Sequence, residues 1–235
     1  MTPRTNARVA GFTFLIYIVT GITSMILFGK ATSGAVGTAA TLARIAQHAS
    51  LLRVTILLTL LQAAYAVVLG VTLYALTRAE DRDLAIIALC CRAGEGLMAV
   101  LSPVRSLALL SIATAPAPDP SAQALGGLLL KMGGWTGLLA ATCFAAGSTL
   151  FSYLFLRSRS IPTPLAWLGV LASLLLVAVL PLQLAGFLHG PVTSFVWIPM
   201  LVFEVALALW LLVKGVGARA SQEAAGIDGE GVLQS

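Results

Sequence analysis

The stretch LAIIALCCRAGEGLMAVLSPV, residues 84–104, decides the fold, because it is long and apolar yet carries two charged side chains, Arg92 and Glu95. A second stretch, FVWIPMLVFEVALALWLLV at residues 195–213, carries Glu204 in the same way. Each stretch is long enough to cross a bilayer as a helix that rises about 1.5 Å per residue. Charge inside a bilayer is costly, and such residues usually face other protein or trapped water at functional sites.

The composition of the chain favours lipid over water as its solvent. Of the 235 residues, 59% are hydrophobic and only 10% are charged, whereas a soluble domain carries about 25% charged residues. The mean hydropathy of +0.98 corresponds to more apolar surface than one water-soluble core can bury. The formal net charge of +5 is spread singly over the ends of apolar runs. This pattern indicates membrane orientation and argues against a nucleic-acid surface.

Six apolar runs predict an all-α, polytopic transmembrane bundle. The fifth and sixth runs are separated by the turn-forming sequence GFLHGPVTS at residues 186–194. The first run is too long for the apolar region of a signal peptide and long enough for a retained span. The predicted spans are 9–29, 54–77, 84–113, 132–156, 164–188 and 195–216.

An even number of spans places both ends of the chain on one side of the membrane, and the positive-inside rule predicts which side. With the N-terminus in the cytoplasm, eight Lys and Arg residues lie on the cytoplasmic side and four on the opposite side. Both termini are therefore expected to be cytoplasmic. Residues 1–8 form the N-terminal segment, and the polar, Gly-rich residues 217–235 are expected to be a disordered tail.

Arg92, Glu95 and Glu204 are the candidate site. Arg92 and Glu95 are three residues apart, so they share one face of a helix. Counting along the predicted helices places all three side chains roughly 12–18 Å from the cytoplasmic face. If the third and sixth spans are neighbours, one Arg faces two carboxyls, and one carboxyl is expected to hold a proton near neutral pH. Two interpretations remain open: an ion pair that pins helices together, and a site for a proton or small solute.

Three further residues are predicted at the outer face of the membrane. Arg105 lies about 31 Å along its span, so its side chain can extend to the surface just beyond an expected kink at Pro103. Anchoring and a charge in an outer vestibule both suit this position. His48 lies in residues 30–53, which suit a short surface helix or an extension of the second span, and His189 lies in the turn after the fifth span.

The sequence predicts no catalytic residue, metal site or cofactor. Patterns such as HExxH, GxSxG, the P-loop and the Rossmann fingerprint are absent. Cys90, Cys91 and Cys143 lack redox or zinc spacing, and two histidines alone are a small part of a haem site.

The interpretation is therefore a non-enzymatic membrane protein in which the charged cluster moves a proton or small solute or holds the bundle together. Two alternatives stay open. One is a redox subunit that uses haem or quinone, and the other is a scaffold or sensor that contacts further membrane helices as a homo-oligomer or with a partner.

Four stretches carry a family resemblance: ARVAGFTFLIYIVTGI (7–22), CCRAGEGLMAV (90–100), YLFLRSRSIPTPLAWLGVLASLLL (153–176) and FEVALALWLLVKGV (203–216). They resemble a bacterial membrane family without an assigned activity, the domain of unknown function 4386 family. The resemblance covers roughly residues 7–217 and implies a six-helix, multi-pass protein of the bacterial inner membrane. Members of that family often carry a histidine in the middle of the fourth helix, where this chain has Gly147 and Ser148.

Overall fold

The computed structural model describes residues 2–115, 119–190 and 192–217, and this part of the chain is helical without strands. The helices are α1 (Pro3–Thr32), α2 (Thr38–Gln47), α3 (Ala49–Thr77), α4 (Arg82–Ala113), α5 (Pro120–Ser158), α6 (Thr163–Leu184), α7 (Val192–Phe195) and α8 (Ile198–Val213). Five of these helices and the segment Thr193–Val213 are long and apolar enough to cross a membrane. The predicted all-α bundle of six spans is thus confirmed. The tail expected to be disordered lies, from residue 218 onward, outside the described residues.

The start of α5 differs most from the sequence prediction. The predicted span was 132–156, but α5 begins at Pro120 and is 39 residues long, or about 58 Å. Asp119 caps this end, because its carboxylate accepts a hydrogen bond of 2.7 Å from the backbone N–H of Ala122. That bond and a second one from the Ser121 hydroxyl hold the pKa of Asp119 below its usual value of 3.8. The start of α5 is therefore set by the N-cap at Asp119 and not by the hydrophobicity of the sequence.

The last span is broken near its start, whereas the sequence predicted one helix over 195–216. α7 ends at Phe195, a turn follows, and α8 begins at Ile198. Pro199 lies in the first turn of α8, where a missing N–H costs no hydrogen bond. The membrane-crossing segment therefore consists of two helical pieces.

Glycines in the left-handed conformation mark the ends of two other helices. Gly37, with φ of 89°, precedes α2, which is a separate short helix in the segment 30–53. Gly186, with φ of 82°, follows α6, which ends at Leu184 and not at 188 as predicted. A positive φ costs little at a residue without a Cβ, so glycine lets the chain turn sharply just before α2 and just after α6.

The six spans form a closed ring. Each spanning helix packs on the next in chain order, and α8 packs on both α6 and α1. Gly11 permits the closure, since a Cβ at this position would lie 2.6 Å from the backbone oxygen of Ala208. The third and sixth spans, α4 and α8, are therefore not packed along each other but face each other across the centre of the ring.

One face of the bundle carries both ends of the described chain. On this face Arg157 Nε lies 2.7 Å from Oε1 of Glu80, and the N–H of Gly217 donates to the carbonyl of Ser160 at 2.9 Å. We call it the terminal face, and we call the opposite face, which carries α2, the α2 face. That the terminal face is cytoplasmic remains a prediction of the positive-inside rule.

Large side chains fill the centre of the ring toward the terminal face. Phe14, Phe151, Phe155 and Phe203 are each at most 4% exposed. The cavity that these residues line together with Glu204 measures about 10 Å³, which is barely room for one water molecule. The bundle is therefore closed in this half.

Candidate functional site

Arg92 lies at the centre of the ring, and side chains from α1 and α5 supply aromatic contacts to it. Its side chain is 1% exposed. The guanidinium carbon lies over the ring of Tyr17 from α1, 5.6 Å from the centroid, and over the ring of Phe144 from α5, at 5.1 Å. Such contacts are worth about 2 kcal/mol each when the cation is removed from water. The aromatic rings therefore stabilise a charge that the bilayer alone would disfavour.

Two glycines make room for the Arg92 side chain. A Cβ at Gly70 on α3 would lie 3.0 Å from Cβ of Arg92, and a Cβ at Gly147 on α5 would lie 3.4 Å from its Cδ. Gly147 and Ser148 are the residues that stand where the family resemblance implies a histidine. Ser148 lines the 10 Å³ cavity beside Glu204. Both positions therefore lie next to the charged cluster.

Glu95 has two partners. Its Oε2 lies 2.9 Å from Nη1 of Arg92, and the hydroxyl of Tyr17 donates a hydrogen bond to its Oε1. The Arg92 contact is ionic, because its N–H groups do not point at a hydrogen-bond acceptor among the described residues. Glu95 is 4% exposed, so the carboxylate and the guanidinium neutralise each other away from water.

Glu204 differs from Glu95 because it has no hydrogen-bond or ion-pair partner among the described residues. Its side chain is 7% exposed, and Oε1 accepts no hydrogen bond from the described residues. None of the described cations lies within the 4.0 Å of an ion pair with it. An ionised carboxyl in this setting is costly. Since Arg92 and Glu95 cancel, Glu204 is expected to hold a proton or to face a bound cation.

Both carboxyls line a cavity of about 330 Å³ inside the ring. In its wall the rings of Phe144 and Trp197 stack with centroids 6.1 Å apart. The other polar residues in the lining are Tyr17, Thr59, Gln62, Ser102 and Thr136. Within the described ranges no Lys, Arg or His lines this cavity, because Arg92 is covered.

A second cavity of about 500 Å³ continues from the first toward the α2 face. The two cavities share the lining residues Thr59, Gln62, Ser102 and Gly137. The second one extends to Arg105, which is about 15 Å along α4 from Glu95 at the usual helical rise. The polar space around the carboxyls thus extends toward the α2 face and is closed toward the terminal face.

The side chain of Arg105 turns into the bundle, although the sequence suggested that it extends to the membrane surface. Its guanidinium carbon lies 5.6 Å from the ring centroid of Phe28 on α1. The Arg105 side chain packs against α5 at Gly133, where a Cβ would collide with Nη1 of Arg105. Arg105 is half-buried and lines the second cavity.

The two histidines lie away from the cluster. His48 joins α2 to α3 and is half-buried. His189 is exposed and lines a separate cavity with Lys131. Across the described ranges, no three His, Cys, Asp or Glu side chains come together as a metal site.

Sequence reasoning missed Tyr17, Gln62 and Phe144. Gln62 carried a usable signal, because it is an amide inside the otherwise apolar run 54–77. Tyr17 carried a weaker signal, since it lies in the middle of its run and not at an end, where interfacial tyrosines belong. Phe144 carried none, because phenylalanine is ordinary in an apolar helix.

A family model described as "Domain of unknown function (DUF4386)" matches residues 9–215. The chain therefore belongs to this family, as the resemblance of its four stretches predicted. No curated protein and no solved structure matches the chain.

Proposed function

We propose that this member of the domain of unknown function 4386 family translocates protons, and that Glu204 is the carboxyl that takes them up and releases them. The observation that carries the proposal is the contrast between the two central carboxyls. Glu95 has a guanidinium and a phenol as partners, whereas Glu204 has none among the described residues. A fully paired carboxyl stabilises the bundle, and an unpaired one is free to exchange a proton.

The cavities toward the α2 face supply the groups that a proton path needs. Hydroxyl and amide side chains from Thr59, Gln62 and Ser102 line both cavities. Such groups hold water, and chains of water and hydroxyls conduct protons. Protons thus reach Glu204 from the α2 face.

Arg92 removes a repulsion that would otherwise oppose deprotonation of Glu204. It pairs with Glu95, so the second carboxylate of the cavity does not add an uncompensated negative charge. The Arg92–Glu95 pair is a fixed element in this mechanism and does not exchange protons itself. A buried Arg is always charged, so it is suited to this role.

Release toward the terminal face requires a change in packing. Ser148 and Ser152 line the small cavity beside Glu204, but phenylalanines surround it. A rearrangement of α8 against α1 and α6 would connect Glu204 to the terminal face and close it from the other side. This is the alternating access expected of a transporter.

We further propose that the protein lies in the bacterial inner membrane with the terminal face in the cytoplasm. The excess of Lys and Arg at the turns of the terminal face supports this orientation. Protons then enter from the outer side. A reporter enzyme that is active only in the periplasm, fused to the C-terminus, is expected to be inactive, and an active fusion would reverse the orientation.

Proton flux into proteoliposomes with a trapped pH-sensitive dye tests the proposal. The wild-type protein is expected to conduct protons above protein-free liposomes, and Glu204→Gln is expected to abolish the difference. Glu80→Gln is the matched control, because Glu80 is a carboxyl on the terminal face that pairs with Arg157. Unchanged flux in Glu204→Gln, or no flux in the wild type, would refute the proposal.

The mechanism uses no cofactor. The visible absorption spectrum of the purified protein tests the haem alternative separately. We expect no haem band, and a stoichiometric haem would instead favour the redox subunit.

A further inference from the structure

We infer that the cavity between Glu95 and Glu204 binds a small organic monocation, such as a primary or quaternary amine, which competes with the proton for Glu204. The inference rests on the proposed exchange at Glu204 and names the class of solute coupled to it. The proposed activity is then an exchange of protons for small amines.

The net charge of the side chains around the cavity would be balanced by a solute with one positive charge. Two carboxyls line it, and none of the described Lys, Arg or His residues does. Arg92 neutralises Glu95 at 2.9 Å, while its own side chain is 1% exposed and does not reach the cavity. One negative charge is left over, on Glu204. An anion would be repelled by that charge, because no described cation lines the wall to attract it. A dication would keep one positive charge unpaired.

The walls of the cavity suit an organic cation better than a metal ion. Trp197, Phe144 and Tyr17 are part of the lining, and aromatic rings, Trp above all, attract ammonium groups. Alanines supply further apolar lining, which fits methyl and methylene groups. Hard inorganic cations take about six or more oxygen ligands in close geometry, whereas the seven oxygen-bearing side chains of this lining are spread over five helices around a cavity of about 330 Å³.

The size of the cavity sets the size of the solute. About 330 Å³ is near the lower end of the range for small-molecule pockets, which is about 300–1,000 Å³. Choline is a suitable probe, because it is small and its charge does not titrate. Its neutral isostere, 3,3-dimethyl-1-butanol, has the same shape without the charge.

Glu204 is the group at which proton and cation compete. The charged or titratable side chains that act on it are Arg92 and Glu95 from α4 and Tyr17 from α1. α6, which also packs on α8, contributes no titratable side chain to the cavity lining. The other three groups contact each other. Of these four groups, Glu204 alone has no partner among the residues that the structure describes.

Equilibrium binding of radiolabelled choline to the purified protein in micelles, without a proton gradient, tests the inference. We expect saturable binding at one site per chain that weakens as the pH is lowered. 3,3-Dimethyl-1-butanol and Na⁺ at tenfold higher concentration are expected not to compete. Glu204→Gln should weaken binding at least tenfold and remove its pH dependence, and Glu204→Asp should restore part of both.

Trp197→Leu is a second variant that leaves the carboxyls intact. It should weaken choline binding several-fold and keep the pH dependence, because it removes only the aromatic contact. Trp135→Leu is its control, since Trp135 is exposed and lines a different cavity. It should bind choline like the wild type.

Two results would overturn the inference: choline that binds no better than its neutral isostere, and choline affinity that survives Glu204→Gln. If Na⁺ competes as strongly as unlabelled choline, the site binds an inorganic cation and the inference is wrong. If choline fails to bind while proton flux still depends on Glu204, only this inference falls. If Glu204→Gln leaves flux unchanged, the proposed function falls, and choline binding then decides whether the cavity is a binding site without transport.

Discussion

The two halves of the bundle differ in what fills the centre of the ring, and α5 shows the difference within one helix. Between residues 126 and 137, toward the α2 face, α5 has five glycines, and between 144 and 155, toward the terminal face, it has three phenylalanines. The first half lines cavities with Arg105, and the second closes the centre with Phe151 and Phe155. The closed half holds the helices together, and the cavities of the open half extend from Glu204 toward the α2 face.

The largest expected effect is a difference in the free energy of unfolding between variants of Glu95 and Glu204, the two carboxyls at the boundary between the halves. Glu95→Gln should lower the free energy of unfolding by about 3–5 kcal/mol, because Arg92 is left buried without its carboxylate. Glu204→Gln should change it by less than about 1 kcal/mol, since no partner is lost. Reversible unfolding in mixed micelles measures both. Equal losses would mean that Glu204 is paired as well.

The next effect concerns the closed half. Gly11→Ala places a Cβ 2.6 Å from the backbone oxygen of Ala208, so α1 and α8 must separate, at a cost of about 1–3 kcal/mol. Gly29→Ala, on the same helix with no atom within 4 Å of its Cβ, is the control and should not destabilise. The same unfolding measurement applies, and equal behaviour of the two variants would argue against the ring closure.

A smaller effect is expected in the open half. Gly133→Ala collides with the end of the Arg105 side chain, which can move, so the loss should stay below about 1 kcal/mol. Gly134→Ala meets no atom within 4 Å and should stabilise α5 slightly, because Ala is the better helix former. Thermal unfolding of the two variants should therefore shift in opposite directions. Shifts in the same direction would indicate that Arg105 does not lie against Gly133.

The smallest effect is at the cap of α5, outside the membrane. Hydrogen bonds from the backbone N–H of Ala122 and from Ser121 lower the pKa of Asp119 in the folded state. Its contribution to stability is therefore present above the pKa of the unfolded chain, about 4, and is lost as the pH falls through the lower, folded value. The Asn side chain keeps a capping oxygen but does not titrate. The Asp119→Asn variant should therefore lose less stability in acid than the wild-type protein. Identical acid profiles for the two proteins would contradict the cap.

Hydrophobic runs predict the helices well because each span must bury its backbone hydrogen bonds in lipid. The Arg92–Glu95 pair is also predictable, since a spacing of three residues places both on one helix face. The order of the helices in the ring cannot be predicted from the sequence. The chain has 22 glycines, and nothing in the sequence indicates that Gly11 is the one that meets α8.

The same limit explains the missed parts of the site. Glu204 reaches the cavity opposite Glu95 because α4 and α8 face each other across the ring, not because they are neighbours. Tyr17 and Phe144 contact Arg92 only through this tertiary arrangement. Helix ends that depend on caps or on proline, as at Asp119 and Pro199, likewise leave little trace in hydrophobicity.

Infrared spectroscopy of the carboxyl C=O stretch tests most directly whether Glu204 is the exchangeable group and Glu95 the fixed partner of Arg92. At neutral pH we expect a band from one protonated carboxyl in the wild-type protein that Glu204→Gln removes and Glu80→Gln keeps. Saturating choline should diminish the band by displacing the proton. A band that persists in Glu204→Gln but vanishes in Glu95→Gln would contradict the account, because it would assign the exchangeable proton to the paired carboxyl.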